Sequence, residues 1–246
     1  EFPNRSRLIE PFTGSGAIFL NTDNPSYLLA EANQDLISLF SFLKTEQNEF
    51  IAYCRQFFSK ENNQEFRYYE LRAQFNASQN ARERAAMFLY LNRHGYNGLC
   101  RYNQSGIYNV PFGRYIKPYF PETEMSYFSQ KSQRASFMLA DFQETFKQAS
   151  TGDLIYCDPP YSPLSQASNF SAYTQKKFGE NEQILLANLA KDAANKGITV
   201  VISNHDTDFT RHHYSGAKIK SFEVKRSISC NTQNRLPAKE LLAIFR

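Results

Sequence analysis

Apolar residues fall in short clusters whose spacing changes twice along the chain. Arg7-Leu8-Ile9-Glu10-Pro11 reads as a short buried strand, and Phe12-Thr13-Gly14-Ser15-Gly16 as a tight turn opening a short helix. Tyr27-Leu28-Leu29-Ala30 predicts a second strand ending on Glu31, and Asp35 to Leu43 has helical spacing. Strand, glycine turn, helix and strand make a βαβ unit, which implies a parallel sheet. The pattern then changes. Segments 47–58, 64–76 and 82–93 read as amphipathic helices, His94 to Pro121 is polar, aromatic and aperiodic, and a helix over 122–133 closes the block. Alternation resumes with strands at 136–140, 153–157, 198–203 and 218–224, helices at 142–149 and 180–196, and a last strand over Lys239 to Phe245. The expected organisation is an α/β domain, residues 1–46 and 135–246, interrupted by a mostly helical insertion over 47–134.

Composition narrows the class. The 246 residues are 41% hydrophobic and 21% charged, with 10 Gly and 10 Pro, which excludes collagen-like and disordered chains. The longest aliphatic stretch, Ile198 to Ile202, is far too short to cross a bilayer, so no membrane partner is expected. Cys54, Cys100, Cys157 and Cys230 are widely spaced, without metal-ligand or disulfide-framework spacing, which suits a reducing cytoplasm and predicts no metal. The net charge of +4 allows a nucleic-acid partner without demanding one.

Two segments carry candidate chemistry. Glu10-Pro11-Phe12-Thr13-Gly14-Ser15-Gly16 follows a strand, and its glycines let the backbone approach a ligand. Glu31, at the end of the next strand, is placed to accept from ribose hydroxyls. Phe19 stands where the dinucleotide fingerprint has its third glycine, so a nucleoside without a pyrophosphate fits better than NAD. Taken alone, the segment is equally a packing turn. The second segment, Asp158-Pro159-Pro160-Tyr161, lies at the carboxyl end of a buried strand, where α/β sheets place ligands. The prolines stiffen the backbone while leaving carbonyls to accept. A carboxylate and a neighbouring carbonyl offer two acceptors to one exocyclic amino group, and Tyr161 offers a stacking face. Two such acceptors draw a conjugated amine toward sp³ and stabilise the charge of its attack.

These motifs, in this order with the insertion between them, resemble the Dam family of DNA adenine-N6 methyltransferases, which use S-adenosylmethionine and methylate the adenine of GATC. The resemblance continues through Leu91-Asn92-Arg93-His94-Gly95-Tyr96-Asn97-Gly98-Leu99-Cys100-Arg101-Tyr102-Asn103, Asn109-Val110-Pro111-Phe112-Gly113-Arg114-Tyr115, Ile202-Ser203-Asn204-His205-Asp206 and Arg226-Ser227-Ile228-Ser229. It covers almost the whole chain. It implies a Rossmann-like S-adenosylmethionine-dependent methyltransferase fold whose target-recognition insertion contains a β-hairpin or loop. Asp158 and the Pro159 carbonyl would hold a flipped adenine amine, with Tyr161 on the base. Glu10 to Gly16, Glu31, Asp141, Phe142 and Asp158 would line the cofactor. Family members also carry an aromatic segment ending in Gly-Gly-Lys, which serves the cofactor's methionine end and the DNA; the sequence here starts after that point. The resemblance further implies double-stranded DNA as partner and a bacterial or phage enzyme acting in the cytoplasm at the nucleoid.

The insertion fits that partner. From Arg84 to Pro121 there is no acid, whereas Arg84, Arg93, Arg101, Arg114 and Lys117 are positive and tyrosines and phenylalanines interleave. Cations neutralise phosphates, arginine bridges guanine O6 and N7, and rings enter a base stack. By resemblance Tyr96 wedges into the duplex, Arg101 reads a guanine, and Asn97, Leu99, Pro111 and Arg114 contact DNA; Arg93, Asn103 and Ser165, the last in the polar loop after Tyr161, are further DNA-binding candidates. Asn169 is a further candidate beside Ser165, and Lys220, Lys225, Arg226 and Arg235 form a second basic region. Ser203-Asn204-His205-Asp206 after a strand, and the pair His212-His213, read as caps or surface groups. Cys157 reads as a strand residue and not as a nucleophile. The readings that compete are an RNA-adenine or protein-amide methyltransferase, a non-catalytic DNA-binding relative, and an NAD oxidoreductase.

Overall fold

The computed structural model describes residues 7–161, 178–224 and 238–246. Ser165, Asn169, Lys225, Arg226 to Ser229 and Arg235 lie outside the described residues. In chain order the elements are β1 (Leu8–Glu10), α1 (Ala17–Asn21), β2 (Tyr27–Glu31), α2 (Gln34–Thr45), α3 (Asn48–Arg55), α4 (Glu65–Ala77) and α5 (Ala81–His94). Then come α6 (Glu122–Lys131), β3 (Ala135–Leu139), α7 (Phe142–Phe146), β4 (Leu154–Cys157), α8 (Glu180–Asn195), β5 (Thr199–His205), α9 (Asp208–His213), β6 (Lys218–Val224) and β7 (Ala238–Phe245). Short 3₁₀ turns occupy Tyr96–Gly98 and Ser132–Arg134.

The strand order is β3-β2-β1-β4-β5-β7-β6. β1 pairs in parallel with β2 and β4, and β4 with β5, while β7 runs antiparallel between β5 and β6. This is the α/β methyltransferase arrangement expected. The described residues divide into two compact units, one of 7–30, 140–161, 178–224 and 238–246, the other of 31–139.

In the first unit Leu8, Ile9, Leu29, Leu154, Ile155, Val200 and Ile202 are buried. Such near-continuous apolar runs are what parallel strands covered on both faces require. Leu186, Ala187 and Ala190 of α8 are buried too. Parallel strand ends converge at Glu10 and Cys157, so the glycine turn and Asp158 leave the sheet side by side. Three expectations need correction. Ser203, Asn204 and His205 do not follow β5 but belong to it, because β7 continues the ladder to His205 opposite Glu240. The helix expected at 142–149 stops at Phe146. A helix absent from the sequence reading, α9, starts at the capping residue Thr207, whose side chain accepts from the Thr210 N–H.

The second unit is the helical block. Asn33 and Asn80 cap α2 and α5, each accepting two backbone N–H groups. Its core is rich in phenylalanine and tyrosine: Phe40 stacks on Phe128 at 4.7 Å, Phe42 on Phe50 at 5.3 Å, and Phe75 meets Tyr108 edge-on at 5.5 Å.

Candidate active site and nucleic-acid interface

The glycine turn is held by its own backbone. Thr13 donates its N–H to Ala30 at the end of β2, its hydroxyl donates to the Glu10 carbonyl, and Gly16 donates to Thr13. Gly14 and Gly16 have φ of 50° and 73°. A Cβ on Gly14 would meet nothing within 4 Å. Glycine is therefore needed there for its left-handed backbone, and the space beside it is open. Beneath the turn Glu10 is only 2% exposed, and its Oε1 has no hydrogen-bond partner. Burial pushes its pKa up to about 8, against a backbone hydrogen bond from Phe19 and reinforced by the Asp158 charge. Phe12 stacks on Phe142 at 5.6 Å and meets Phe178 edge-on at 5.5 Å. The turn and the start of α7 thus converge on one aromatic cluster. Asp141 caps α7 by accepting from the Glu144 N–H and is exposed. Pro11 is buried and Ser15 exposed. Glu31 closes β2, and its Oε1 accepts from the Ala32 and Asn33 N–H groups.

At the end of β4 Asp158 is open to solvent while Pro159 is buried. Neighbouring atoms desolvate the Asp158 carboxyl enough to raise its pKa, against the hydrogen bonds that Tyr161 and Ser203 lend it. The Tyr161 hydroxyl lies 2.8 Å from Ser203 Oγ, and the His205 ring stands edge-on to Tyr161 at 4.5 Å. A buried polar relay stiffens the turn from behind. Gln183 of α8 donates its amide to the Pro160 carbonyl at 3.0 Å. Asn204 donates to Gln183 Oε1 and to the Tyr214 hydroxyl, both at 2.9 Å. All three side chains are at most 1% exposed. Cys157 is the last residue of β4, the strand position expected for it, and burial holds its thiol well above its ordinary pKa.

In the second unit the polar stretch folds as a hairpin. Tyr102 bridges Tyr108 antiparallel, the Asn109 N–H donates to the Arg101 carbonyl at 3.1 Å, and Asn103 to Ile107 at 2.9 Å. Asn103 also spends its side-chain oxygen on the Ser105 and Ile107 N–H groups, closing the turn. Arg101 is half-buried, and its Nε and Nη2 donate to Asn109. Tyr96 is 48% exposed, and Asn97 beside it has φ 53°. Asn97 donates its N–H to the Tyr115 hydroxyl, and Tyr96 donates to the Pro111 carbonyl. Leu99 is half-buried and Pro111 exposed. Arg93 lies over the Tyr119 ring at 5.4 Å and, with Asn92, Asn97, Tyr115 and Lys117, lines a cleft of about 300 Å³. Arg114 is exposed, with φ 57° and a long contact to Glu65 at 3.7 Å. One cation of the basic stretch plays another part. Arg84 is bound bidentately to Asp35, at 2.6 and 3.2 Å, and covers Phe75, so its charge is spent inside the helical block.

A family model for the D12 class N6 adenine-specific DNA methyltransferases matches residues 1–228. The chain belongs to that family. It is 51% identical over 247 residues to a DNA adenine methylase of Haemophilus influenzae, covering 99% of this chain and 86% of that protein. It is 49% identical over 244 residues to one of Vibrio cholerae, covering 99% and 88%, and 47% identical to one of Escherichia coli K12 with the same coverage. An S-adenosylmethionine-dependent methyltransferase from Agrobacterium tumefaciens shows 8% identity and a TM-score of 0.38, over 100% of this chain and 57% of that one, a likeness too distant to carry weight.

This D12-class protein is thus a DNA adenine methyltransferase whose cofactor is S-adenosylmethionine, as the motifs led us to expect. The residues fit such a cofactor. A buried carboxyl oxygen without a partner at the start of the turn, and open space beside Gly14, suit a polar ligand that donates a hydrogen bond. Among the described residues no group of three or more His, Cys, Asp or Glu could hold a metal, and no helix is long and apolar enough to cross a membrane. Sequence reasoning missed the parts of Ser203, His205 and Gln183. For the first two the signal was present in the Ser-Asn-His run at a strand end. Gln183 carries none, since a glutamine in an amphipathic helix looks like any solvated position.

Proposed function

We propose that this D12-class methyltransferase methylates N6 of a flipped adenine in duplex GATC, acting on DNA in the cytoplasm of a bacterial or phage-infected cell. Catalysis would sit in residues 1–46 and 135–246, and target recognition in 47–134. The observation that carries the reading is the Asp158–Tyr161 turn. It combines a carboxylate of raised pKa, a Pro160 carbonyl held by Gln183, and a ring set by Ser203 and His205.

The cofactor supplies an electrophilic methyl group on a sulfonium. Glu10, Pro11, Phe12, Gly14, Ser15 and Gly16 hold it, with Glu31, Asp141 and Phe142. Asp158 and the Pro159 carbonyl accept the two N–H bonds of the adenine amine. The amine lone pair would thereby be freed to take the methyl group as its bond to the sulfonium sulfur breaks, and the positive charge developing on the nitrogen would be stabilised. A carboxylate whose pKa is pushed up is also the better acceptor for the proton the amine must lose. Tyr161 stacks on the base. Tyr96, exposed on its 3₁₀ turn, fills the gap in the duplex and offsets part of the few kcal/mol of unstacking. Arg101 reads a guanine; Arg93, Asn97, Leu99, Asn103, Pro111, Arg114 and Ser165 complete the DNA contacts.

Expression with a plasmid, followed by digestion with nucleases blocked by or dependent on adenine methylation in GATC, tests the site. A plasmid methylated at adenine but unprotected at GATC would refute it. Asp158→Ala is expected to abolish transfer while retaining fold and DNA binding; undiminished methylation would sink the mechanism.

A further inference from the structure

We propose that Asn109 is a positioning residue for base reading: it braces one edge of the Arg101 guanidinium so that the other edge meets a guanine. The inference rests on the reading of Arg101 as the guanine reader.

A guanidinium has five N–H donors in a rigid plane, one on Nε and two on each terminal nitrogen. Arg101 gives its Nε–H to Asn109 Oδ1 at 2.7 Å and an Nη2–H to the Asn109 carbonyl at 3.1 Å. One residue therefore takes a side-chain and a backbone bond from the same edge. Three N–H groups remain, both of Nη1 and one of Nη2, and of these one on each terminal nitrogen forms the terminal edge. Bidentate donation to guanine O6 and N7 needs two parallel N–H groups, which that edge supplies. The brace thus consumes none of the donors that recognition needs.

The platform beneath Asn109 is rigid. Asn109 returns its own N–H to the Arg101 carbonyl, so the two residues face each other across the hairpin. Asn76 of α4 clamps Tyr108 at both its N–H and its carbonyl, at 2.9 and 3.1 Å. Tyr68 and Arg72, also on α4, both donate to the Val110 carbonyl, at 3.0 and 2.8 Å. Across the hairpin the Tyr102 hydroxyl donates to Asp35 at 2.6 Å. The residues on each side of the Arg101–Asn109 pair are therefore fixed to α4 and α2. A free arginine must freeze several side-chain torsions when it meets a base, whereas a braced one arrives with its plane set.

The test measures kcat/KM on GATC duplexes carrying either guanine or 7-deazaguanine, which lacks the N7 acceptor, for wild type, Arg101→Ala, Asn109→Ala and Asn109→Asp. Arg101→Ala is expected to erase the preference for guanine. If the preference survives that change, the reading of Arg101 fails and the brace fails with it. With the preference erased in Arg101→Ala, Asn109→Ala is expected to lose about tenfold of it. Asn109→Asp, which keeps an acceptor for Nε, should lower both rates and retain the ratio. Full preference in Asn109→Ala, or an equal loss on both duplexes, overturns the proposal, because a plain backbone contact would not distinguish the two bases. Where the alanine variant does not fold, Asn109→Ser, whose hydroxyl is too short to reach Nε, gives the same comparison.

Discussion

Replacing Glu10 by glutamine should change how stability depends on pH, in a direction fixed by burial. The carboxyl lies under the glycine turn with one oxygen unsatisfied, and its pKa rises from 4.5 to about 8. Between those values the folded protein holds a proton that the unfolded chain releases. Its contribution is therefore fully present below pH 4.5 and is lost as pH climbs through about 8. Each pH unit inside the window changes stability by at most about 1.4 kcal/mol, so the full swing is on the order of 5 kcal/mol. Glutamine keeps the shape and an acceptor but does not titrate. His94 titrates with the opposite sign, since burial lowers its pKa to about 4 and the stability it contributes is lost as pH falls. It is common to both proteins and cancels in the difference. Urea denaturation of the cofactor-free proteins at pH 5, 6, 7 and 8 reads the result. Relative to wild type, Glu10→Gln should gain about 1 kcal/mol per unit at the alkaline end, with equal m-values. Parallel profiles would show that Glu10 is already ionised and would refute the reasoning.

Gln183→Leu fills similar volume but strips the Pro160 carbonyl and the Asn204 amide of a partner. It should cost about 1–3 kcal/mol and lower kcat by roughly tenfold or more. Cofactor affinity measured by calorimetry should stay near wild type; an unchanged kcat would free the relay of any role. Arg84→Met removes the cation from the nearly buried Asp35 and should cost about 2 kcal/mol by thermal or urea unfolding, discounted because Arg84 itself is one-quarter exposed. Unaltered stability would return Arg84 to the pool of DNA-facing cations.

The Asp158–Tyr161 turn was legible in sequence because its chemistry and its place coincide: a buried apolar run ends, and an acid, two stiff residues and a ring follow. The glycine turn was half legible. Its glycines announced a backbone that can approach a ligand, but nothing in Glu10 distinguishes a buried, unsatisfied carboxyl from an exposed one. Asn204 shows the opposite failure. A Ser-Asn-His run reads as a loop because polar side chains resist burial, yet β7 supplies the backbone ladder while Gln183 and Tyr214 satisfy the amide. Charge counting erred for the same reason at Arg84, whose partner Asp35 lies 49 positions away in sequence. Partners that distant are set by tertiary packing, which local patterns do not encode.

The antiparallel insertion of β7 between β5 and β6 also constrains how the protein is made. β5 is complete at residue 205 and β6 at residue 224, yet each waits for residues 238–245 before that side finds a partner. During synthesis on the ribosome the growing chain therefore carries an open apolar edge on Val200, Val201 and Ile202 until β7 emerges. Such an edge invites pairing with another chain. Nascent chains stopped short of β7 should accordingly depend on chaperones, and emergence of β7 is the step that covers this edge.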